Sequence, residues 1–440
     1  MSENLPNPPQ SLPPIEFVAG GPTDEIQQAN LEAVEPSPGY PPMVIMIADA
    51  ITKRSDVVLL DYQQDMANVR YKVDGIWHSM PPMDRESGDF LLATLKRLAN
   101  LDFEERVARQ ESDFVAIYLK HKHKCKIICQ GVKTGERVAI YIDREKPSTD
   151  SLSDMGLRES QRQKLVKIIN TEGTLVLAGY IPDEFSKAFW AGVQKAGDRF
   201  MQDYVILHDV QKPFEEVINV TPAPYDSKKG ESVSSILPGV LLKEPNVLAL
   251  NELSDGETLD AITELTVQQK ISALARIEAR DVFDAILRVM VLQPKLDDFA
   301  NSLSCVLVQR TARILCDYCR QQFEPSPQLL QQLGLPANRV ASMFTHFAPR
   351  PEDLIDENGN PIELEPCPKC GGPGYFERTS LFELLVVDDE LRKAIVGKGN
   401  RNELINAARN CDHVSIRDEG VVMVAKGITS LEELRRVLKQ

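Results

Sequence analysis

Apolar positions follow one rhythm in the first third of the chain and another beyond it. FVAIYL, KCKIICQ and RVAIYID, between residues 114 and 143, alternate apolar and polar residues as half-buried strands do. VVLLD (57–61) and NVRYKV (68–73) read as two more strands, with Asp74-Gly75 as the tight turn into IWHSM. MVIMIADAITKR and DFLLATLKRLANL (89–101) space their apolar residues as helices do. These elements make a small α/β domain that ends near residue 145.

Farther on the runs shorten and become solidly apolar. TLVLA (174–178), DYVILHD (203–209) and NVLALNE (246–252) are expected as buried strands. LRESQRQKLVKII (157–169) and SKAFWAGVQKA (186–196) are expected as helices between them. Strands alternating with helices indicate a parallel sheet. The chain is then expected to turn helical from about Leu259, pass through a cysteine region, and finish in VDDELRKAIV, NELINAARN and SLEELRRVLK. Residues 1 to about 42 hold ten prolines and little patterned apolar sequence, so they read as a disordered tail.

Composition narrows the classes. A hydrophobic share of 42% and a charged share of 26% are those of a globular protein. A net charge of −15 argues against a nucleic-acid partner. No apolar run is long enough for a transmembrane segment, and MSENLPNPPQSLPP lacks the basic start and apolar core of a signal peptide. A cytoplasmic protein is expected, able to dock peripherally on the inner face of the inner membrane.

Four of the eight cysteines form two pairs, Cys316-Asp-Tyr-Cys319 and Cys367-Pro-Lys-Cys370, 47 residues apart. Each pair can turn two thiolates inward from one knuckle, and two knuckles make a tetrahedral site. Zn²⁺ suits four soft ligands, and with every position filled by protein the ion would be structural. Cys125 and Cys129 share one face of a strand and read as core.

Several stretches in order carry a resemblance. VRYKVDGIW (69–77), LKRLANLDFEER (95–106), TGERVAIYI (134–142), VLVQRTARILCDYC (306–319), CPKCGGPGYFERTSLFELLVVDDELRKAI (367–395) and DEGVVMVAKGITSLEEL (418–434) resemble segments of the type II secretion and type IV pilus assembly ATPases, those of the GspE/PilB type. The resemblance covers roughly Val44 to Gln440. It implies a fold: a small N-terminal α/β domain (43–148) followed by a RecA-like P-loop-NTPase-fold domain (149–440). The latter carries a tetracysteine zinc subdomain (about 311–378) and C-terminal helices (about 379–440). It also implies a hexameric motor that hydrolyses ATP and works with inner-membrane platform proteins to assemble a pilus or pseudopilus.

The phosphate loop departs from that family. Its Gly-Pro-Thr-Gly-Ser-Gly-Lys-Thr-Thr falls on Gly179-Tyr180-Ile181-Pro182-Asp183-Glu184-Phe185-Ser186-Lys187. Gly179 and Ser186 remain at their positions. Pro182 cannot donate an amide, Glu184 stands where backbone would approach phosphate, and Phe185 replaces the lysine. A phosphate loop converges amides and one ammonium on the phosphates. Here Asp183 and Glu184 bring carboxylates instead, each unit like-charge contact costing roughly 4 kcal/mol at 4 Å and an effective dielectric of 20. The resemblance therefore leaves ATP and Mg²⁺ in doubt.

Glu252 stands at the family's water-orienting position in Asn251-Glu252-Leu253-Ser254-Asp255-Gly256-Glu257-Thr258, but the arginine there is Ser254. Without a phosphate loop beside it, a capping or solvated carboxylate is the preferred account. The family's histidine segment is Gln269-Lys270-Ile271-Ser272-Ala273-Leu274-Ala275-Arg276-Ile277, with both histidines gone. The expectation is a pseudo-ATPase that scaffolds or regulates a secretion or pilus machine beside an active paralogue, as a hexamer or a mixed oligomer. Two alternatives stay open. One is an active hexameric ATPase with an atypical loop, using Arg70 and Arg106 across subunits. The other is nucleotide binding without hydrolysis.

Overall fold

The computed structural model describes residues 12–143, 151–183, 185–212, 214–336, 338, 340–349, 362 and 365–439. Contacts divide the chain into two units, Met1–Pro147 and Ser148–Gln440.

The first unit is an antiparallel sheet with helices. Its strands are β1 (Ile15–Val18), β2 (Ser55–Tyr62), β3 (Met66–Val73), β4 (Ile76–Ser79), β5 (Met83–Asp84), β6 (Gln110–Tyr118), β7 (His121–Val132) and β8 (Gly135–Asp143). Their order is β1-β6-β7-β8-β2-β3-β4, with β5 paired to β3. Helices Tyr40–Thr52 and Arg85–Leu98 bury Met43, Ile47, Leu91 and Leu95 in one core with Leu60, Phe114 and Ile127. The β3–β4 turn has Asp74 at φ 47° and Gly75 at φ 82°, the two positive values that match strand twist. Arg54 holds the Asp74 carboxylate at 2.8 Å.

The expected disordered tail does not extend to residue 42. Residues 1–11 lie outside the described residues, but β1 pairs antiparallel with β6 and Thr23 caps a helix, Asp24–Val34. Ile15 and Phe17 alternate inward on β1, a run too short to register beside the prolines. Pro41 falls in the first turn of the next helix, where its missing N–H costs nothing.

The second unit is built on a larger sheet: β9 (Leu175–Tyr180), β10 (Tyr204–Asp209), β11 (Val220–Tyr225), β12 (Val247–Leu250), β13 (Ser272–Glu278), β14 (Leu303–Leu315), β17 (Tyr375–Val386) and β18 (His413–Val414). A separate two-stranded ribbon pairs β15 (Gln321–Phe323) with β16 (Met343–Thr345). The large sheet runs β11-β10-β12-β13-β9-β14-β17-β18, its first six strands parallel, β17 antiparallel to β14 and β18 antiparallel to β17. Both faces are covered. Leu175 and Leu177 of β9 enter one core, and Val176 and Ala178 enter the other.

Expected helix gives way to strand at three places, β13, β14 and β17. The helix Gly256–Gln269 stops at Lys270, at φ 62°, and the chain enters β13. SALARIE has two alanines and a glutamate, residues that favour strands weakly. It is a strand because β12 and β9 flank it on both sides.

Candidate functional site

β9 leads through Ile181-Pro182-Asp183 into the helix Phe185–Lys195, at the carboxyl ends of the parallel strands. In open α/β sheets this edge holds ligands. Gly179 is required by packing: a Cβ there would stand 2.7 Å from the Val308 side chain. Ser186 is buried, and its hydroxyl donates to the Asp183 carbonyl at 2.7 Å. The Asp183 carboxylate accepts the backbone N–H of Phe185 at 2.9 Å and the Thr311 hydroxyl at 2.8 Å. The positive end of the helix therefore already carries an anion supplied by the chain. Phe185 packs on the core beneath β9, with the Arg378 guanidinium 5.3 Å from its ring centre. Glu184 lies outside the described residues.

Just past the end of β12, Glu252 forms an ion pair with Lys212. Burial opposes the charge on Lys212, but the Glu252 carboxylate outweighs it and holds the ammonium above its usual range. Arg276 of β13 is buried and lies 3.8 Å from the Tyr180 ring centre, a cation–π contact. Asp255 caps the helix Gly256–Gln269 through the Thr258 N–H at 2.7 Å. Asp209 is held below the usual carboxylate range by Ser227 and by the Gln211 amide. Asp183, Ser186, Asp209, Lys212, Glu252 and Asp255 at this edge each have a protein partner, whereas the His208 Nδ1, Asn251 Oδ1 and Arg276 Nε atoms are buried there without a hydrogen-bond partner among the described residues.

The four cysteine sulfurs lie within 4.8 Å of one another. Sγ of Cys316 is 3.9 Å from that of Cys367, and Sγ of Cys319 is 3.7 Å from that of Cys370. Four thiolates around one ion at a zinc–sulfur distance of 2.3 Å would stand about 3.8 Å apart. The donor set fits a tetrahedral metal. The Gly374 N–H donates to the Cys370 sulfur at 3.3 Å. Burial alone would raise the Cys367 thiol, but the amides of Cys370 and Lys369 bring it down to about 7. Lys369 pairs with Asp317 at 2.6 Å, tying one knuckle to the other.

The family model for "Type II/IV secretion system protein" matches residues 37–436. The chain belongs to this family. It is 26% identical over 405 residues to the type II secretion system protein E of Dickeya dadantii, covering 90% of this chain and 74% of that one. It is 24% identical to the type II secretion system ATPase E of Vibrio cholerae, covering 93% and 77%. Against the type IV pilus assembly ATPase PilB of Thermus thermophilus it is 22% identical over 88% of its own length but spans only 42% of that relative. The structure resembles that of the Legionella pneumophila ATPase DotB, with TM-score 0.55, 12% identity, and 90% and 95% of the two chains covered. The small domain and RecA-like domain expected from the resemblance are thus the observed fold.

Within this secretion-family fold the segments that carry the resemblance have visible tasks. Gln309 on β14 donates to Ser380 on β17 at 3.0 Å, and Arg310 donates to the Arg280 carbonyl at 3.0 Å. Arg70 pairs with Asp61, and Arg106 pairs with Asp89 at 2.8 Å. Lys72 lies 5.9 Å from the Trp77 ring centre. Lys212 and Thr311, the partners of Glu252 and Asp183, escape a motif reading because each meets its acid only through the fold. Among the described residues no helix is long and apolar enough to cross a membrane.

Proposed function

We propose that this chain is a non-catalytic member of the secretion-motor family, a scaffold or regulatory subunit of a type II secretion or type IV pilus machine. The observation that carries the reading is the Asp183 carboxylate on the Phe185 amide. A phosphate at that helix end would have to displace a tethered anion and then find a phenyl ring where its counter-charge should be. The Lys212–Glu252 pair supports the same reading, since a carboxylate bound to an ammonium is a poor base for an attacking water.

In this reading Cys316, Cys319, Cys367 and Cys370 hold one structural Zn²⁺. Gly179 and Ser186 are the remnant of a phosphate loop, and Glu252 is the remnant of a water-orienting site. The partners are an active ATPase paralogue or inner-membrane platform proteins on the cytoplasmic side. Assembly proceeds without nucleotide as an interface ligand, which favours a monomer or a mixed oligomer over a homohexamer.

The deciding experiment is calorimetric titration of the full, zinc-loaded chain with Mg-ATP to about 1 mM, the range of the weakest specific binding. The expected result is no binding. Micromolar binding, or turnover abolished by Glu252→Gln, would overturn the reading.

A further inference from the structure

Four large apolar side chains stand in solvent along one short edge of the second unit. Phe200 is 75% exposed, Met201 82%, Ile218 79% and Leu242 86%. Phe200 and Met201 precede β10, Ile218 precedes β11 and Leu242 precedes β12. These three strands are adjacent in the sheet, so the four residues gather at its amino-terminal edge, opposite the edge that holds Asp183 and Glu252.

The edge is held in shape. Arg199 donates to the Ile218 carbonyl at 2.6 Å, which sets the two loops side by side. The Asp203 N–H donates to the Asn246 side chain at 2.8 Å, and the Asn246 N–H returns a bond to Asp203 at 3.0 Å. Between Gln202 and Leu241 runs a groove of about 290 Å³, with Glu172 and Glu244 on its walls. Exposed carboxylates at Asp198, Asp203, Glu215 and Glu216 surround the apolar residues. With the two groove glutamates they make six carboxylates in the loops of this edge, against the cations Arg199, Lys243 and Lys270 there and Lys195 in the helix turn before them.

We propose that this edge docks a basic amphipathic segment of a partner protein. Apolar side chains of the segment cover Phe200, Met201 and Leu242, and a lysine or arginine enters the groove beside Glu172 and Glu244. Clustered phenylalanine, methionine and leucine in solvent lose free energy until covered, and such clusters mark interaction sites. The charge decides the occupant. An anionic lipid surface would meet carboxylates, and a second copy would bring another chain of net charge −15. A segment with apolar and cationic faces satisfies both halves of the edge. The inference names a docking face for the scaffold and rests on that reading only for its biological role. Segment binding is measured without nucleotide, so it can fail while Mg-ATP binding is still absent, and the reverse.

The test is fluorescence anisotropy of the full chain with an 18-residue amphipathic leucine/lysine peptide as probe. A leucine/glutamate peptide of the same pattern serves as its counterpart. The native chain is expected to bind the lysine peptide, with affinity falling as salt rises. Phe200→Asp/Leu242→Asp and Glu244→Lys should each weaken it about tenfold or more, whereas Val107→Asp, at another exposed apolar residue, should leave it unchanged. Circular dichroism checks folding, and Phe200→Ser replaces any aspartate variant that unfolds. Absent binding, equal binding by the variants, or equal binding of the glutamate peptide would overturn the proposal. Self-association of the native chain that Phe200→Asp abolishes would also overturn it, by assigning the edge to a second copy.

Discussion

Asp183 and Thr311 lie 128 residues apart in sequence and 2.8 Å apart in space, carboxylate to hydroxyl. The bond joins the loop after β9 to β14, and the other oxygen of the same carboxylate caps the helix Phe185–Lys195. Three elements thus meet on one side chain at the point where the family's nucleotide loop would need freedom to grip phosphate.

Removing that side chain should therefore cost stability and not activity. Asp183→Ala deletes a helix cap worth about 1 kcal/mol and leaves the Thr311 hydroxyl without its acceptor. The expected outcome is a thermal transition lowered by a few degrees. Asp183→Asn, which keeps an acceptor oxygen, should recover part of the loss. A variant as stable as the native chain would mean that the carboxylate is not anchored there.

The cysteine cluster should behave as a clamp on the surrounding chain. One zinc per chain is expected by atomic emission, and Cys319→Ser should release it. Chelation should lower the melting temperature and open β15, β16 and their connections to proteolysis first, because Cys316 and Cys319 anchor that segment on one side and Cys367 and Cys370 on the other. A metal-free chain with native stability would reduce the site to four packed thiols.

Much of this was legible in the residues, for local reasons. LVLA (175–178) is apolar at every position, which marks a strand buried on both faces, and β9 is one. Asp74-Gly75 announces its turn because few residue pairs adopt two positive φ values. The two Cys-x-x-Cys knuckles announce a tetrathiolate by spacing alone. What could not be read was decided by distant neighbours. β13 is a strand by virtue of its flanking strands. Ile15 and Phe17 are core because β6 offers them an edge. Glu252 looks like a catalytic remnant in its motif, and only the fold places Lys212 against it, 40 residues away in sequence.

A second carboxylate links stability to acid. Glu433, on the C-terminal helix Leu431–Lys439, is fully buried and bonded to Arg313 of β14 at 2.7 Å and to Arg436. Burial alone would raise its pKa, but Arg436 and Arg313 outweigh burial and bring it down to about 2. A depressed folded value means the contribution is complete above the unfolded carboxylate range, near 4.3, and is lost as pH falls through about 2. Stability measured between pH 5 and 2 should decline, and Glu433→Gln should flatten part of that decline while lowering stability at pH 7 by about 3 kcal/mol. An unchanged slope in the variant would mean other carboxylates govern acid unfolding.

The buried pair in the first unit should give the opposite lesson about charge. Lys96 and Glu136 are 0% and 2% exposed and stand 2.6 Å apart, and the Lys96 ammonium also donates to the Glu105 carbonyl. Both residues sit in segments that carry the family resemblance, LKRLANLDFEER and TGERVAIYI. No solvent or substrate reaches them. Taking two charges out of water costs several kcal/mol per ion, a cost that their mutual attraction only offsets when both are present. Lys96→Met should therefore destabilise the unit by about 3–5 kcal/mol, because Glu136 is left charged and unpaired. Glu136→Gln should do nearly as much. The double variant Lys96→Met/Glu136→Leu removes both charges and fills the space with apolar atoms, and it should return most of the loss. A double-mutant cycle on thermal or urea unfolding measures the coupling directly. If the two single losses simply add in the double variant, the pair is not coupled and the buried lysine and glutamate must be explained by something other than each other.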